Sequence, residues 1–159
     1  MSIKHQIDND IFFMKEALKE AEKAATIGEV PIGAVIVSND KIIARSYNQV
    51  ELLRDPTAHA EILVITAAAN HFNSKYLTSC TLYVTLEPCI MCHGALYWSQ
   101  IKRMVFGASD PKRSAHSISA PILHPRTEVQ QNILAKESNA LLVYFFKKLR
   151  NPYPVPVEG

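Results

Sequence analysis

An α/β fold, with a mixed sheet covered by helices on both faces, is what the sequence predicts. Three observations lead there. Helical apolar spacing alternates with short runs rich in β-formers along most of the chain. The first two such runs are separated only by a turn, so they pair as a hairpin. Irregular, Pro-bearing stretches fall between the later elements.

Taken in order, Asp8-Asn9-Asp10 offers N-cap residues, and Met14, Ala17, Leu18, Ala21, Ala24 and Ala25 then recur on one helix face, with Gly28 as the stop. Ala34-Val35-Ile36-Val37, the turn Ser38-Asn39-Asp40 and Ile42-Ile43-Ala44 make the hairpin. Residues 49–57 read as loop, closing on Asp55-Pro56-Thr57. A helix is expected from Ala58 to about Asn73, and a strand over Cys80-Thr81-Leu82-Tyr83-Val84-Thr85-Leu86. Pro88 breaks that strand, and a helix from about Cys89 to Trp98 follows. Arg103-Met104-Val105-Phe106 is a strand ending at Gly107. The chain is irregular from Asp110 to Pro125. A last helix runs from about Lys136 to Arg150, with Leu141, Leu142, Phe145, Phe146 and Leu149 on one face.

Composition narrows the classes. The 159 residues are 48% hydrophobic and 20% charged with net charge +2, which excludes a disordered chain. That length supports one core, so residues 1–159 read as one domain with a Pro-rich tail from about residue 151. No run approaches the roughly 18 apolar residues of a membrane span, and the opening residues lack the apolar stretch of a secretory signal. The expected location is cytoplasmic, with no membrane partner. A sequence pI near 8.4 falls below the value above about 9 usual for dedicated nucleic-acid modules, so any RNA contact must come from local patches.

Cys80, Cys89 and Cys92 are the three cysteines, two of them in a C-x-x-C spacing. Without a secretory context that favours metal or redox chemistry over disulfides. His59-Ala60-Glu61 opens one helix, and Pro88-Cys89-Ile90-Met91-Cys92 opens another directly after a strand. One imidazole and two thiolates suit Zn²⁺ and leave a tetrahedral position for water. Helix N-termini add positive dipole ends that stabilise thiolates. Glu61, two residues beyond His59, points away from the ligand direction yet stays beside the site, where a carboxyl can carry a proton from water to substrate.

These residues strongly resemble the zinc-dependent nucleoside and nucleobase deaminases, whose signature is H-x-E…P-C-x-x-C. The resemblance covers nearly all of residues 10–149 and is greatest to bacterial tRNA adenosine deaminases. It runs through Glu29-Val30-Pro31-Ile32-Gly33-Ala34-Val35, Asn48, Asp55-Pro56-Thr57-Ala58-His59-Ala60-Glu61, Thr81-Leu82-Tyr83-Val84-Thr85-Leu86-Glu87-Pro88-Cys89 and Val105-Phe106-Gly107-Ala108. It implies a cytidine deaminase-like, three-layer α/β/α sandwich with a five-stranded mixed sheet, in a homodimer. It implies one zinc per chain on His59, Cys89 and Cys92, with Glu61 as general acid/base. The implied reaction is adenosine to inosine at the wobble position, with the tRNA anticodon stem-loop as partner. Asn48 and the Ala60 N–H would hold the base, and Asp110 would lie near the ribose. Lys112 and Arg113, with Lys147, Lys148 and Arg150 on the last helix, are the candidate RNA contacts.

The chain departs from the family pattern after Lys112, where Arg113-Ser114-Ala115-His116-Ser117 replaces small, Gly-rich residues, and in its Pro-rich tail. Other readings stand beside this one. A free nucleobase or nucleoside such as guanine or cytidine is the alternative substrate. A non-catalytic, zinc-stabilised RNA-binding protein has no use for Glu61. A thioredoxin-like redox pair has no use for His59-Ala60-Glu61, and a structural zinc would need a fourth ligand, for which His93 is nearest. Cys80 reads as a small buried hydrophobe, Asn48 can also cap a turn, and the basic residues can also be solvated charge.

Overall fold

The computed structural model describes residues 2–113 and 122–153. Its elements are α1 (Ile3–Thr26), β1 (Gly33–Ser38), β2 (Lys41–Tyr47), α2 (Val50–Leu53), α3 (Ala60–Phe72), β3 (Thr81–Leu86), α4 (Ile90–Ser99), β4 (Arg103–Ala108), β5 (Glu128–Gln130) and α5 (Ala135–Arg150). The strands form one sheet in the order β2-β1-β3-β4-β5. β1 is antiparallel to β2 and to β3, whereas β3–β4 and β4–β5 are parallel. The expected mixed, five-stranded sheet is present.

Strand alternation sends successive side chains to opposite layers. Val35, Val37, Tyr83 and Val105 pack against Phe13, Met14 and Ala17 of α1. Their neighbours Ala34, Ile36, Leu82, Val84, Met104 and Phe106 pack against Ala60, Val64 and Ala68 of α3 and Leu96 of α4. Ile133 and Leu134, at the entrance to α5, join the first of these clusters. All six residues of β1 are buried, as a strand covered on both faces requires. Gly33 lets β1 approach α1, because a Cβ there would fall on the main chain of Ala17 and Ala21.

The hairpin turn forms as expected. Asn39 and Asp40 both take positive φ, at 50° and 59°, the backbone a two-residue hairpin loop needs. Gly28, at φ 79°, ends α1 as expected.

Four expectations need correction. Helix α1 starts at Ile3, capped by Ser2 Oγ, which accepts the His5 N–H at 3.2 Å. The cap is not at Asp8–Asp10, because the Asp10 carboxylate is used elsewhere. It is buried, accepts both Arg103 Nη atoms at 2.6 and 2.7 Å, and accepts the Tyr83 hydroxyl at 2.8 Å. Residues 49–57 are not all loop, since α2 makes a turn of helix before the Asp55 side chain accepts the Thr57 N–H and hydroxyl. Strand β5 escaped the pattern because its three residues are all exposed. Finally, α5 does not bury its whole apolar face. Leu141, Leu142 and Phe145 are half-buried, but Phe146 and Leu149 are 41% and 59% exposed. Its 16 residues span about 24 Å, and its buried residue, Ser138, lies in the first turn, so the face is covered at its start and open toward its end. Residues 114–121 of the irregular stretch, and 154–159 of the tail, lie outside the described residues. Among the described residues, no helix is long and apolar enough to cross a membrane.

Candidate metal centre

Two helix starts meet at the ends of adjacent elements. His59 is the N-cap of α3 and Cys89 the N-cap of α4, one residue ahead of each helix, and Cys92 is the third residue within α4. Neither cap makes a side-chain capping hydrogen bond, so imidazole and thiol are free to face each other. The His59 Nδ1 lies 3.5 Å from Cys89 Sγ and 3.6 Å from Cys92 Sγ. All three donor atoms fall within 4.8 Å of one another.

That spacing tests the fit of zinc. Tetrahedral bonds of about 2.3 Å to sulfur and 2.0–2.1 Å to nitrogen separate N from S by about 3.6 Å. The donor set is therefore already arranged as zinc would arrange it, with Nδ1 as the ligating nitrogen. His93 is not a fourth ligand. Its Nδ1 turns to the Cys89 carbonyl oxygen at 3.1 Å. Three protein ligands are the pattern of a catalytic site.

Charge at the site follows from these contacts. The Cys92 thiol donates to Cys89, which holds the Cys89 thiol down to about 3 and pushes Cys92 above its ordinary range. Cys89 in turn holds the His59 imidazole above its usual value. One sulfur is thus already a thiolate, the form that binds metal.

Glu61, in the first turn of α3, is only 3% exposed, and burial pushes its carboxyl up to about 7. A carboxyl in that range can take up and return a proton near neutral pH. A bound dication beside it would draw the value back down. Ala60, the first residue of α3, is fully buried, and its N–H has no intrahelical acceptor.

Asn48 is buried where β2 ends. Its N–H donates to the Ile32 carbonyl at 3.0 Å, and the next N–H, of Gln49, donates to Ala58 beside His59. Asp110 follows β4. Its N–H donates to Glu87 Oε2 at 3.0 Å, while its Oδ1 accepts the N–H groups of Lys112 and Arg113. One carboxylate oxygen of Asp110 therefore shapes the loop that presents those two cations. Lys112 and Arg113 are exposed and line a cavity of about 260 Å³ with Asp110, Leu86, Asn139 and Phe146. Lys147, Lys148 and Arg150 are exposed on the last turn of α5, where cations also complement the helix dipole.

Sequence reasoning missed the buried acids Glu29 and Glu87 as members of this region. For Glu87 a signal was present, an acidic residue just after the buried run Leu82–Thr85, whereas Glu29 follows exposed Ile27 and Gly28 and gives none. Cys80 is fully buried at the start of β3, away from the donor group, as expected of a small hydrophobe.

Comparison with known proteins agrees with this geometry. Residues 7–108 match the family described as the cytidine and deoxycytidylate deaminase zinc-binding region. A tRNA-specific adenosine deaminase of Aquifex aeolicus is 48% identical over 88% of this chain and 95% of its own. A solved structure from a study of A-to-I editing by tRNA:A34 deaminases superposes with TM-score 0.78 at 43% identity, covering 82% of this chain and 99% of that one. The guanine deaminase of Bacillus subtilis superposes at TM-score 0.60 and 37% identity, over 69% of this chain and 66% of that one. With the signature residues gathered at one site and this likeness over most of its length, the chain belongs to the family of zinc-binding cytidine and deoxycytidylate deaminases.

Proposed function

We propose that this zinc-dependent deaminase hydrolyses adenosine to inosine at the wobble position of a tRNA anticodon, releasing ammonia. The observation that carries the reading is the 48% identity, over nearly the full length of both chains, to a tRNA-specific adenosine deaminase. Likeness to a guanine deaminase is lower in identity and covers less of either chain.

Zinc, when bound by His59, Cys89 and Cys92, supplies a water whose pKa is lowered toward 7. The chain's own groups do the rest. Glu61 would take a proton from the attacking water and deliver it to ring N1, then take the second proton from the oxygen now bonded to C6 and pass it to the amine, which leaves as ammonia. The unsatisfied Ala60 N–H and the Asn48 amide hold the base in place. In this reading Asp110 approaches the ribose, and Lys112, Arg113, Lys147, Lys148 and Arg150 supply positive charge to the flanking phosphates. A flipped-out base in a structured loop requires such contacts, because unstacking costs a few kcal/mol.

The finer assignments belong to the same reading: residues 1–159 as one deaminase domain with a Pro-rich tail from about residue 151, acting in the cytoplasm on a tRNA anticodon stem-loop, as a homodimer. Exposed Ile90, Tyr97 and Trp98 on α4, the last 76% accessible, support a second copy against that helix. The test is ammonia release measured side by side on an anticodon stem-loop, adenosine, guanine and cytidine. Turnover of the stem-loop with little on the small molecules is expected. Robust turnover of guanine or cytidine with none on the stem-loop would overturn the reading.

A further inference from the structure

Between α1 and β1 the chain buries a carboxyl that the reaction does not use. Glu29 is 1% exposed, in the segment that leaves α1 through the left-handed Gly28. Its Oε1 accepts the N–H of Leu52 at 2.6 Å, and its Oε2 accepts Nδ2 of Asn48 at 3.4 Å. Leu52 is the third residue of α2, whose own N-cap Gln49 makes no side-chain capping bond. Glu29 thus does for α2, from a distant segment, what a capping side chain does from within.

The second contact carries the consequence. A primary amide has one donating end and one accepting end, and the two are nearly alike in shape. Facing a carboxyl oxygen, Asn48 must present Nδ2. The main chain on either side of Asn48 is already fixed, by the Asn48 N–H to Ile32 and the Gln49 N–H to Ala58. The remaining freedom is the amide flip, and Glu29 removes it. At 3.4 Å the bond is long, so it contributes direction more than strength.

We propose that Glu29 is a positioning residue that fixes the polarity of the Asn48 amide, leaving its second Nδ2 N–H to donate to a ring-nitrogen acceptor on the base. This rests on the reading of Asn48 as a base contact. A purine offers N7 as such an acceptor, whereas the flipped amide would set oxygen against nitrogen lone pair.

The test uses anticodon stem-loops carrying adenosine or 7-deazaadenosine at the wobble position, under single-turnover conditions with the zinc-loaded protein. The parent should lose about tenfold on the deaza substrate, the worth of one hydrogen bond. Asn48→Ala should be slower and indifferent to N7. If Asn48→Ala still discriminates tenfold, the reading of Asn48 fails. In Glu29→Gln the new amide can still accept from Leu52 but turns its NH₂ to Asn48, which flips. Discrimination should then fall below about threefold while zinc content is kept. A purely structural role would slow both substrates alike and keep the tenfold ratio, which would overturn the proposal while leaving the base contact standing. Should Glu29→Gln fail to hold zinc, Glu29→Asp decides. It keeps an acceptor-only end, so retained discrimination supports the proposal and lost discrimination contradicts it.

Discussion

Glu61 and Cys89 share a protein environment but are driven in opposite directions. Burial raises the carboxyl to about 7, while the thiol of Cys92 holds Cys89 as thiolate. The site thus offers a proton carrier and a metal-binding anion side by side. Glu61→Gln should leave zinc stoichiometry and thermal unfolding unchanged while slowing turnover by at least about 10², since an amide cannot accept and release the proton. Activity within a few-fold of the parent would remove Glu61 from the mechanism. Cys89→Ser is expected to do the reverse, losing most of the zinc, because a neutral hydroxyl is a far poorer ligand than a thiolate. Metal analysis of the purified variant checks it. The ligands were legible in the sequence from their residue types and spacing, and Glu61 from the H-x-E pattern. Glu29 was not, because its role comes from Leu52 and Asn48, brought to it by folding.

At the level of elements, local pattern succeeded where local physics decides. The face of α1, the hairpin turn at Asn39 and Asp40, and the run of β-formers in β3 follow from spacing and backbone preference. It failed where a distant contact decides. Helix α2 is four residues long and is held by Glu29, and β5 exists because its three exposed residues pair with the edge of β4. Asp10 looked like a helix cap and is instead the buried partner of Arg103 and Tyr83, joining α1 to β3 and β4. Arg103→Met strands that carboxylate without its cation in a buried setting. It should cost about 3–5 kcal/mol of stability in urea unfolding, with the rate per folded molecule unchanged. A loss below about 1 kcal/mol would show that the pair contributes little to holding the layers together.

Across the whole molecule, a net charge of +2 leaves RNA binding to local clusters rather than to an overall field. If Lys147, Lys148 and Arg150 each meet a phosphate, neutralising all three should flatten the log–log salt dependence of stem-loop binding by about two, with zinc content unaffected. An unchanged slope would assign them to the helix dipole alone. A three-ligand zinc site at two helix starts would direct water to C6 of a wobble adenosine. The zinc-loaded protein can be reacted with an anticodon stem-loop in ¹⁸O-water and the nucleosides weighed after digestion. Inosine is expected only from the wobble position, carrying one heavy oxygen. An unconverted wobble adenosine, or inosine without the label, would contradict it.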